Sequence, residues 1–404
     1  MTTTQGRRGA LDAVVAGGGV VGAATALMLA REGLSVALVE PRHPAAWTPD
    51  TRDLRVYAFA PDNARLLEDL GVWPAVRDAR VQPYRRMRVW DAAGGDALEF
   101  DADTLGQPQL GWIVENALLV DRLWAALPAA GVRVYCPARI EALQQDGAGV
   151  LLQLDDGVQL RARFTIAADG AQSALRGLAG IGCTRHDYTQ RGLVGFIKTE
   201  QSHKDTCWQR FLPTGPLAVL PFNGDGDATL QGHISSIVWT LPEAEAVRLL
   251  AADGTAFNVE LTAAFGGELG AMRLLSSRAA FPLQRQLAEA FVRDRVILVG
   301  DAAHAVHPLA GQGVNLGLRD VSALRDMLRN AARRQADPVS PARLARWART
   351  RRSESVVAAR AFDAINRAYS NDALWPTLLR GHALGIAGKL PPLARALWRR
   401  AAGV

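Results

Sequence analysis

Cysteine is scarce in this chain. Cys136, Cys183 and Cys207 are the three in 404 residues, and they stand far apart. No C-x-x-C occurs, so the redox-active pair of a disulfide reductase is excluded. Three separated thiols read as buried free cysteines in a reducing cytoplasm. Long apolar runs are missing as well: no stretch reaches the roughly 20 uninterrupted residues of a membrane span. The apolar run near the N-terminus holds a glycine motif and lacks a small-residue cleavage site, so it reads as core and not as a signal peptide. Arg7-Arg8 resembles a twin-arginine export signal superficially, with nothing removable after it. There is no internal repeat and no low-complexity segment.

What is present fits a soluble chain of two or three domains. Apolar residues make up 49% and charged residues 21%, enough for a sizeable core under an ordinary surface. The formal charge of +6 is unevenly spread. From Ala331 onward, 14 basic residues face four acidic ones, which leaves the rest of the chain at −4. A surface so basic suits nucleic acid, an anionic membrane face or another protein.

The chain is organised around Asp12 to Glu40. Ala13 to Ala16 is a short apolar run fit for a strand buried on both faces. Gly17, Gly19 and Gly22 follow as G-x-G-x-x-G. An Ala/Leu-rich helix runs to Arg31, Gly33 stops it, and a second strand, Ser35 to Val39, ends at Glu40. In this setting the motif predicts dinucleotide binding. Gly17 allows the tight turn, Gly19 lets the backbone approach a pyrophosphate, and Gly22 lets helix and strand pack closely. Unpaired N–H groups at the helix start face the anion, and Glu40 can accept from ribose hydroxyls. A motif so near the N-terminus favours FAD.

Two later segments repeat the design. A hairpin of Val150–Leu154 and Val158–Phe164 runs into Thr165–Ala168 and ends in Asp169-Gly170, with Ser173 and Arg176 opening a helix. The strand Val296–Val299 delivers Gly300-Asp301, then Pro308, Gly311, Gly313 and Asn315, with a helix from about Asn315 to Arg329. N–H groups near Gly313 and Val314 suit a flavin ring oxygen and favour negative charge on the reduced ring. Between these segments, residues 193–198, 207–212, 217–221, 229–235 and 237–241 are β-rich and read as a mostly antiparallel layer. His304 and His307 form an H-x-x-H that lacks carboxylate or cysteine companions, so no metal is expected. Arg210 reads equally as a substrate-facing residue or a salt-bridged sheet residue.

Taken together, Gly17/Gly19/Gly22 with Glu40, Asp169-Gly170 and Gly300-Asp301 resemble the three signature motifs of single-component FAD-dependent aromatic hydroxylases. CWQRFLPTGPLAVLP (207–221), SSIVWTLP (235–242) and GDAAHAVHPLAGQGVNLGLRD (300–320) resemble the UbiH/UbiF-type hydroxylases of ubiquinone biosynthesis, over nearly the whole chain. The resemblance implies an α/β fold: a Rossmann-like FAD-binding domain, an inserted, mostly antiparallel substrate domain and a C-terminal helical segment. The FAD domain would comprise 8–78, 111–184 and 283–330, the substrate domain 79–110 and 185–282, and the basic helical region 331–404.

It also implies roles. Gly17, Gly19 and Gly22 would hold the FAD pyrophosphate, Glu40 the adenosine ribose, Arg55 the pyrophosphate and Asn116 the adenosine side. Asp169 and Gly170 would lie between FAD and the NAD(P)H path, Asp301 would bind the ribityl chain, and Pro308 to Asn315 would line the isoalloxazine. No second nucleotide-binding βαβ is present, which fits NAD(P)H as a transient reductant or another electron donor. The implied reaction uses O2 and a flavin hydroperoxide to hydroxylate a polyprenyl phenol or quinol; the sequence names no catalytic base. Alternatives are a soluble aromatic or polyketide hydroxylase and a non-catalytic flavin-binding scaffold. The implied partners are the lipid-borne substrate, a ubiquinone-biosynthesis protein complex and an anionic membrane surface, with no nucleic acid. The expected place is the cytoplasm. The amphipathic stretch Pro391 to Val404 reads either as a helix docked on its own domain or as an attachment to the cytoplasmic face of an inner membrane.

Overall fold

The computed structural model describes residues 11–147, 149–224, 226–305, 312–369 and 403. Its first sheet is built on the expected βαβ start: β1 (Leu11–Ala16), α1 (Val20–Arg31) and β2 (Val36–Val39). α1 begins directly after Gly19, so Gly22 lies within its first turn. The sheet order is Val292–Arg293, Val296–Leu298, Gln159–Ala167, β1, β2, Arg133–Tyr135. The last five of these strands run parallel. The apolar residues of β1, β2, Thr165–Ala167 and Val296–Leu298 are buried, as parallel strands covered on both faces require, whereas the edge strand Arg133–Tyr135 is largely exposed.

Register decides where a ligand can sit. Ala16 pairs with both Val39 and Ala167, and Ala167 pairs with Leu298. Four strand ends are therefore level, and the loops that follow them emerge at one edge, where ligands of open α/β sheets bind. Gln159–Ala167 shows its double duty in its burial. Gln159–Phe164 alternates exposed and buried residues beside the hairpin strand Gly149–Leu154. Thr165–Ala167 is buried throughout, inside the parallel sheet.

A second, nine-stranded sheet carries the inserted part of the chain. Its root is the long pair Cys183–Thr199 and Ala279–Ala288, which leaves the first sheet at Cys183↔Ala288 and reaches Val194↔Ala279. The apolar pattern predicts this strand only from Leu193 and none at 279–288. Residues 183–190 are mostly polar and lie outside the core, so no apolar alternation announces them. Residues 229–233, expected to be strand, form a turn instead, because the Asp227 carboxylate accepts the Thr229 N–H and hydroxyl at 2.8 and 2.7 Å. The strand there is Ile234–Pro242. Cys207 is buried, whereas Cys136 and Cys183 are half-buried; all three are free thiols.

The second sheet is apolar on both faces. One packs on the helices Glu243–Ala251 and Gly254–Phe265, through Leu193, Leu217, Val219 and Ile237 against Phe257, Leu261 and Phe265. The other sets Phe196, Ala218, Leu220 and Phe222 against Val56 and Ile113. These last two belong to β3 (Val56–Phe59) and to Gly111–Glu115 of a small three-stranded sheet. α2 (Pro61–Asp69) follows β3, with proline in its first turn.

A buried ion pair fixes this joint. Arg80 (3% exposed) donates Nε to Glu115 Oε2 at 2.8 Å and Nη2 to Oε1 at 2.9 Å. Arg80 also donates to the Pro49 carbonyl at 2.9 Å, while Glu115 accepts the Asp53 N–H at 2.8 Å and the Trp47 indole at 3.2 Å. The pair thereby ties down the proline-rich loop after β2. Removing one partner strands the other charge out of water. Glu115→Ala is expected to lower stability by about 3–5 kcal/mol, read from the shift of the urea midpoint. A shift worth less than about 1 kcal/mol would show that the pair does not hold the joint.

Candidate cofactor site

The first loop is shaped by contacts that leave no room for side chains. Gly17 has φ +100°, and a Cβ there would lie 2.4 Å from the Ala168 carbonyl oxygen. One on Gly22 would lie 2.0 Å from the Gly17 oxygen. At Gly19, the N-cap of α1, a Cβ would meet nothing within 4 Å. The loop is thus packed behind and open in front of the helix N-terminus, the arrangement an anion needs. Glu40 reaches this loop: its Oε2 accepts the Gly18 N–H at 2.6 Å. The Gly18 carbonyl accepts the Trp124 indole N–H at 2.7 Å.

The second loop pins the third. Asp169 accepts from the Ser173 hydroxyl at 2.5 Å and the Leu175 N–H at 3.1 Å, so its carboxylate is engaged with the start of its own helix. Gly170 has φ +83° with open space where a Cβ would be. Arg176, 4% exposed, donates to the Ala302 carbonyl at 2.8 Å and the Ala171 carbonyl at 3.0 Å. On the other side, Val21 of α1 packs into a notch made by two glycines. A Cβ on Gly300 would be 3.2 Å from Val21, and one on Gly317 would be 2.7 Å from it.

Asp301 is half-buried, and its Oδ1 lies 3.8 Å from the Cβ position of Gly313, across from the first turn of the helix Gln312–Arg333. Val314 and Asn315 are buried. The Asn315 side chain accepts the Ala60 N–H at 2.9 Å and the Asn63 amide at 2.9 Å, and donates to the Ala58 carbonyl at 2.7 Å. It joins this helix to the β3–α2 corner. Pro308, Gly311 and His307 lie outside the described residues.

Arg55 and Asn116 form a neighbouring patch. The exposed Arg55 guanidinium lies 5.6 Å from the centre of the Tyr57 ring, and the Tyr57 hydroxyl donates to Asn116 Oδ1 at 3.0 Å. Burial pushes the Tyr57 hydroxyl up to about 12; Arg55 pulls it down, and Asp301 and Asp53 raise it further. That field links Asp301 to the Arg55 patch. Arg210 makes no ion pair among the described residues. Its Nη1 donates to the Ala264 carbonyl at 2.9 Å, at the end of the helix Gly254–Phe265.

The sequence reading missed the residue that anchors the third loop. Asp320 is fully buried. Its Oδ2 accepts the Gly300 N–H at 2.9 Å and pairs with His304 Nε2 at 2.6 Å; its Oδ1 accepts Arg351 Nε at 2.7 Å. Burial alone would raise this carboxyl, but His304, Arg351 and the Gly300 N–H outweigh it and hold the group below its ordinary value. Asp320 stands in the string quoted for the third motif, yet its partners lie 16 and 31 residues away, beyond any local spacing. His304 is thus a structural partner of a carboxylate.

Comparison with known proteins agrees with this geometry. The family described as FAD binding domain matches residues 10–359. The chain belongs to it. The ubiquinone hydroxylase UbiL of Rhodospirillum rubrum is 37% identical over 97% of this chain and 89% of its own. The 3-demethoxyubiquinol 3-hydroxylase of Escherichia coli is 36% identical over 97% and 98%. The human mitochondrial ubiquinone biosynthesis monooxygenase COQ6 is 32% identical over 95% and 90%. Among solved structures, the p-nitrophenol 4-monooxygenase PnpA of Pseudomonas putida shares the fold, with a TM-score of 0.77 at 20% identity over 97% of this chain and 98% of that one. The chain is an FAD-dependent monooxygenase, and FAD is its cofactor.

Asp320→Asn takes from the buried Arg351 guanidinium its one buried carboxylate partner and leaves it only the exposed Glu354. We expect a loss of about 3–5 kcal/mol in stability and a lower flavin-to-protein absorbance ratio after purification. The depressed pKa means that the carboxylate's contribution is complete above the ordinary value of about 3.9 and is lost as pH falls through the folded value. Wild-type melting temperature and flavin content in the Asn variant would show that the third loop does not depend on this charge.

Proposed function

We propose that this chain hydroxylates the aromatic ring of a polyprenyl phenol or quinol in ubiquinone biosynthesis, using O2 and electrons from NAD(P)H or another donor. The likeness along 97% of the chain to two ubiquinone-ring hydroxylases carries this reading. Bound FAD supplies the oxygen-activating chemistry. The protein binds, orients and keeps water out. In this reading Gly17, Gly19 and Gly22 take the pyrophosphate with Arg55 beside it, Glu40 takes the ribose, and Asn116 touches the adenosine side. Asp301 takes the ribityl chain, and residues 308–315, with Gly311, Gly313 and Val314, line the ring. The N-terminus of the helix Gln312–Arg333 would favour negative charge on a ring held there. Asp169 and Gly170 border the path of the reductant.

The substrate ring would lie at the border of the apolar face packed on Val56 and Ile113, beside the half-buried Val238 and Ala58, whose carbonyl is held by Asn315. Burial of that face keeps water from the reacting carbon. A substrate of this kind resides in the bilayer, so the reading includes peripheral attachment to the inner membrane and membership of a biosynthetic assembly. Among the described residues no helix is long and apolar enough to cross a membrane. The stretch Pro391 to Val404, expected to hold the membrane, lies outside the described residues.

The test is turnover with a short-chain prenyl phenol, NAD(P)H and labelled O2. The expected outcome is phenol-stimulated NAD(P)H oxidation, one labelled oxygen on the ring, and restored ubiquinone in a host lacking its own hydroxylase. No ring hydroxylation with any donor, and no restoration, would reject the activity in favour of a flavin-binding scaffold. Hydroxylation of soluble phenols without restoration would point to another aromatic substrate.

A further inference from the structure

The basic tail resolves into a defined surface on the helix Pro341–Tyr369. At about 100° per residue, the buried Leu344, Trp347, Arg351 and Ser355 share one face. Arg346, Arg349 and Arg360 fall on the opposite face, flanked by Arg343 and Arg352, and all but the half-buried Arg343 are exposed. Among the described residues none of these five side chains has a carboxylate partner. The one acid on the helix within the same span, Glu354, pairs with Arg351 on the buried side.

Beside this face runs a groove of about 730 Å³, between the helix, the turn at 145–147 and residues 290–295. Phe291, Val292, Leu344 and Ala348 give it an apolar floor, and Arg295, Arg349 and Arg352 stand at its rim. Two carboxylates also line it: Asp146, which is bonded to Arg161 at 2.9 Å, and the exposed Asp294. The groove lies at the start of the strand Val296–Leu298, and the Gly300-Asp301 loop lies at its end, so this surface is separate from the cofactor loops.

We infer that this arginine face docks on an anionic phospholipid bilayer, with headgroups on the arginines and an acyl chain along the groove floor. The inference rests on the lipid-substrate reading above. Unpaired cations around an apolar trough match an anionic amphiphile, whereas an acidic peptide or a nucleic acid backbone offers nothing to the floor. Docking then depends on this helix more than on the stretch Pro391–Val404.

The test compares three full-length or near full-length holoproteins: wild type, R346E/R349E/R352E, and a chain ending at Leu390. Each is titrated with vesicles of phosphatidylcholine, with and without 30 mol% phosphatidylglycerol. We expect wild type to bind the anionic vesicles alone, and more weakly as salt rises. The triple variant should bind about a hundredfold more weakly, at roughly 1 kcal/mol per arginine. The truncated chain should keep most of the affinity. FAD content and turnover of a short-chain phenol should stay at wild-type level in the triple variant. Equal vesicle binding by the triple variant and wild type would overturn the inference and leave the activity standing. So would arginine-dependent binding to polyglutamate with none to vesicles. Failure of wild type to hydroxylate the phenol would count against the activity and not against the docking surface.

Discussion

Between the turn after the first strand and the end of its neighbour there is room for a hydrogen atom and nothing larger. A Cβ on Gly17 would overlap the Ala168 carbonyl, and one on Gly22 would overlap Gly17 itself. This close approach lets α1 leave the sheet at its edge with its N-terminus uncovered. The same crowding recurs where Val21 meets Gly300 and Gly317. Three loops far apart in sequence are thus set by backbone packing and not by long side chains. Packing of this kind leaves few alternative positions, because interiors are close-packed.

Charge completes what packing begins. Arg176 ties the second loop to the third through the Ala302 carbonyl. Asp320 ties the third to His304 and to Arg351 of the last described helix. Arg80 and Glu115 hold the loop after β2 against the joint with the second sheet. In each case a buried charge has its partners at hydrogen-bond distance, the condition under which burial is tolerated. Asn315, which bonds to Ala58, Ala60 and Asn63, adds an uncharged tie between the helix Gln312–Arg333 and the β3–α2 corner.

Much of this was legible in the sequence because the signals were local. The β1–α1–β2 start, the Asp169-Gly170 and Gly300-Asp301 strand ends, and the helix expected from about Asn315 to Arg329, which spans Gln312–Arg333, all follow from patterns within about 30 residues. The long strand from Cys183 was only half legible, since its first part is polar and solvent-facing and carries no periodic apolar signal. The Asp320–His304–Arg351 and Arg80–Glu115 pairs were invisible. Nothing about an acid at 115 or 320 says which distant cation will meet it; only the register of the sheets and the packing of helices decide that. Asn315, expected as part of the flavin wall, has its side chain engaged as the clamp between two elements.

The central claim is that the level strand ends and their three loops grip one flavin nucleotide. Its most direct test is the stoichiometry of FAD bound after reconstitution, measured by visible absorbance for wild type and for Gly22→Val, whose side chain would invade the Gly17 backbone. The account predicts about one FAD per chain for wild type and little or none for the variant. A colourless wild-type protein, or a valine variant that binds flavin equally well, would contradict it.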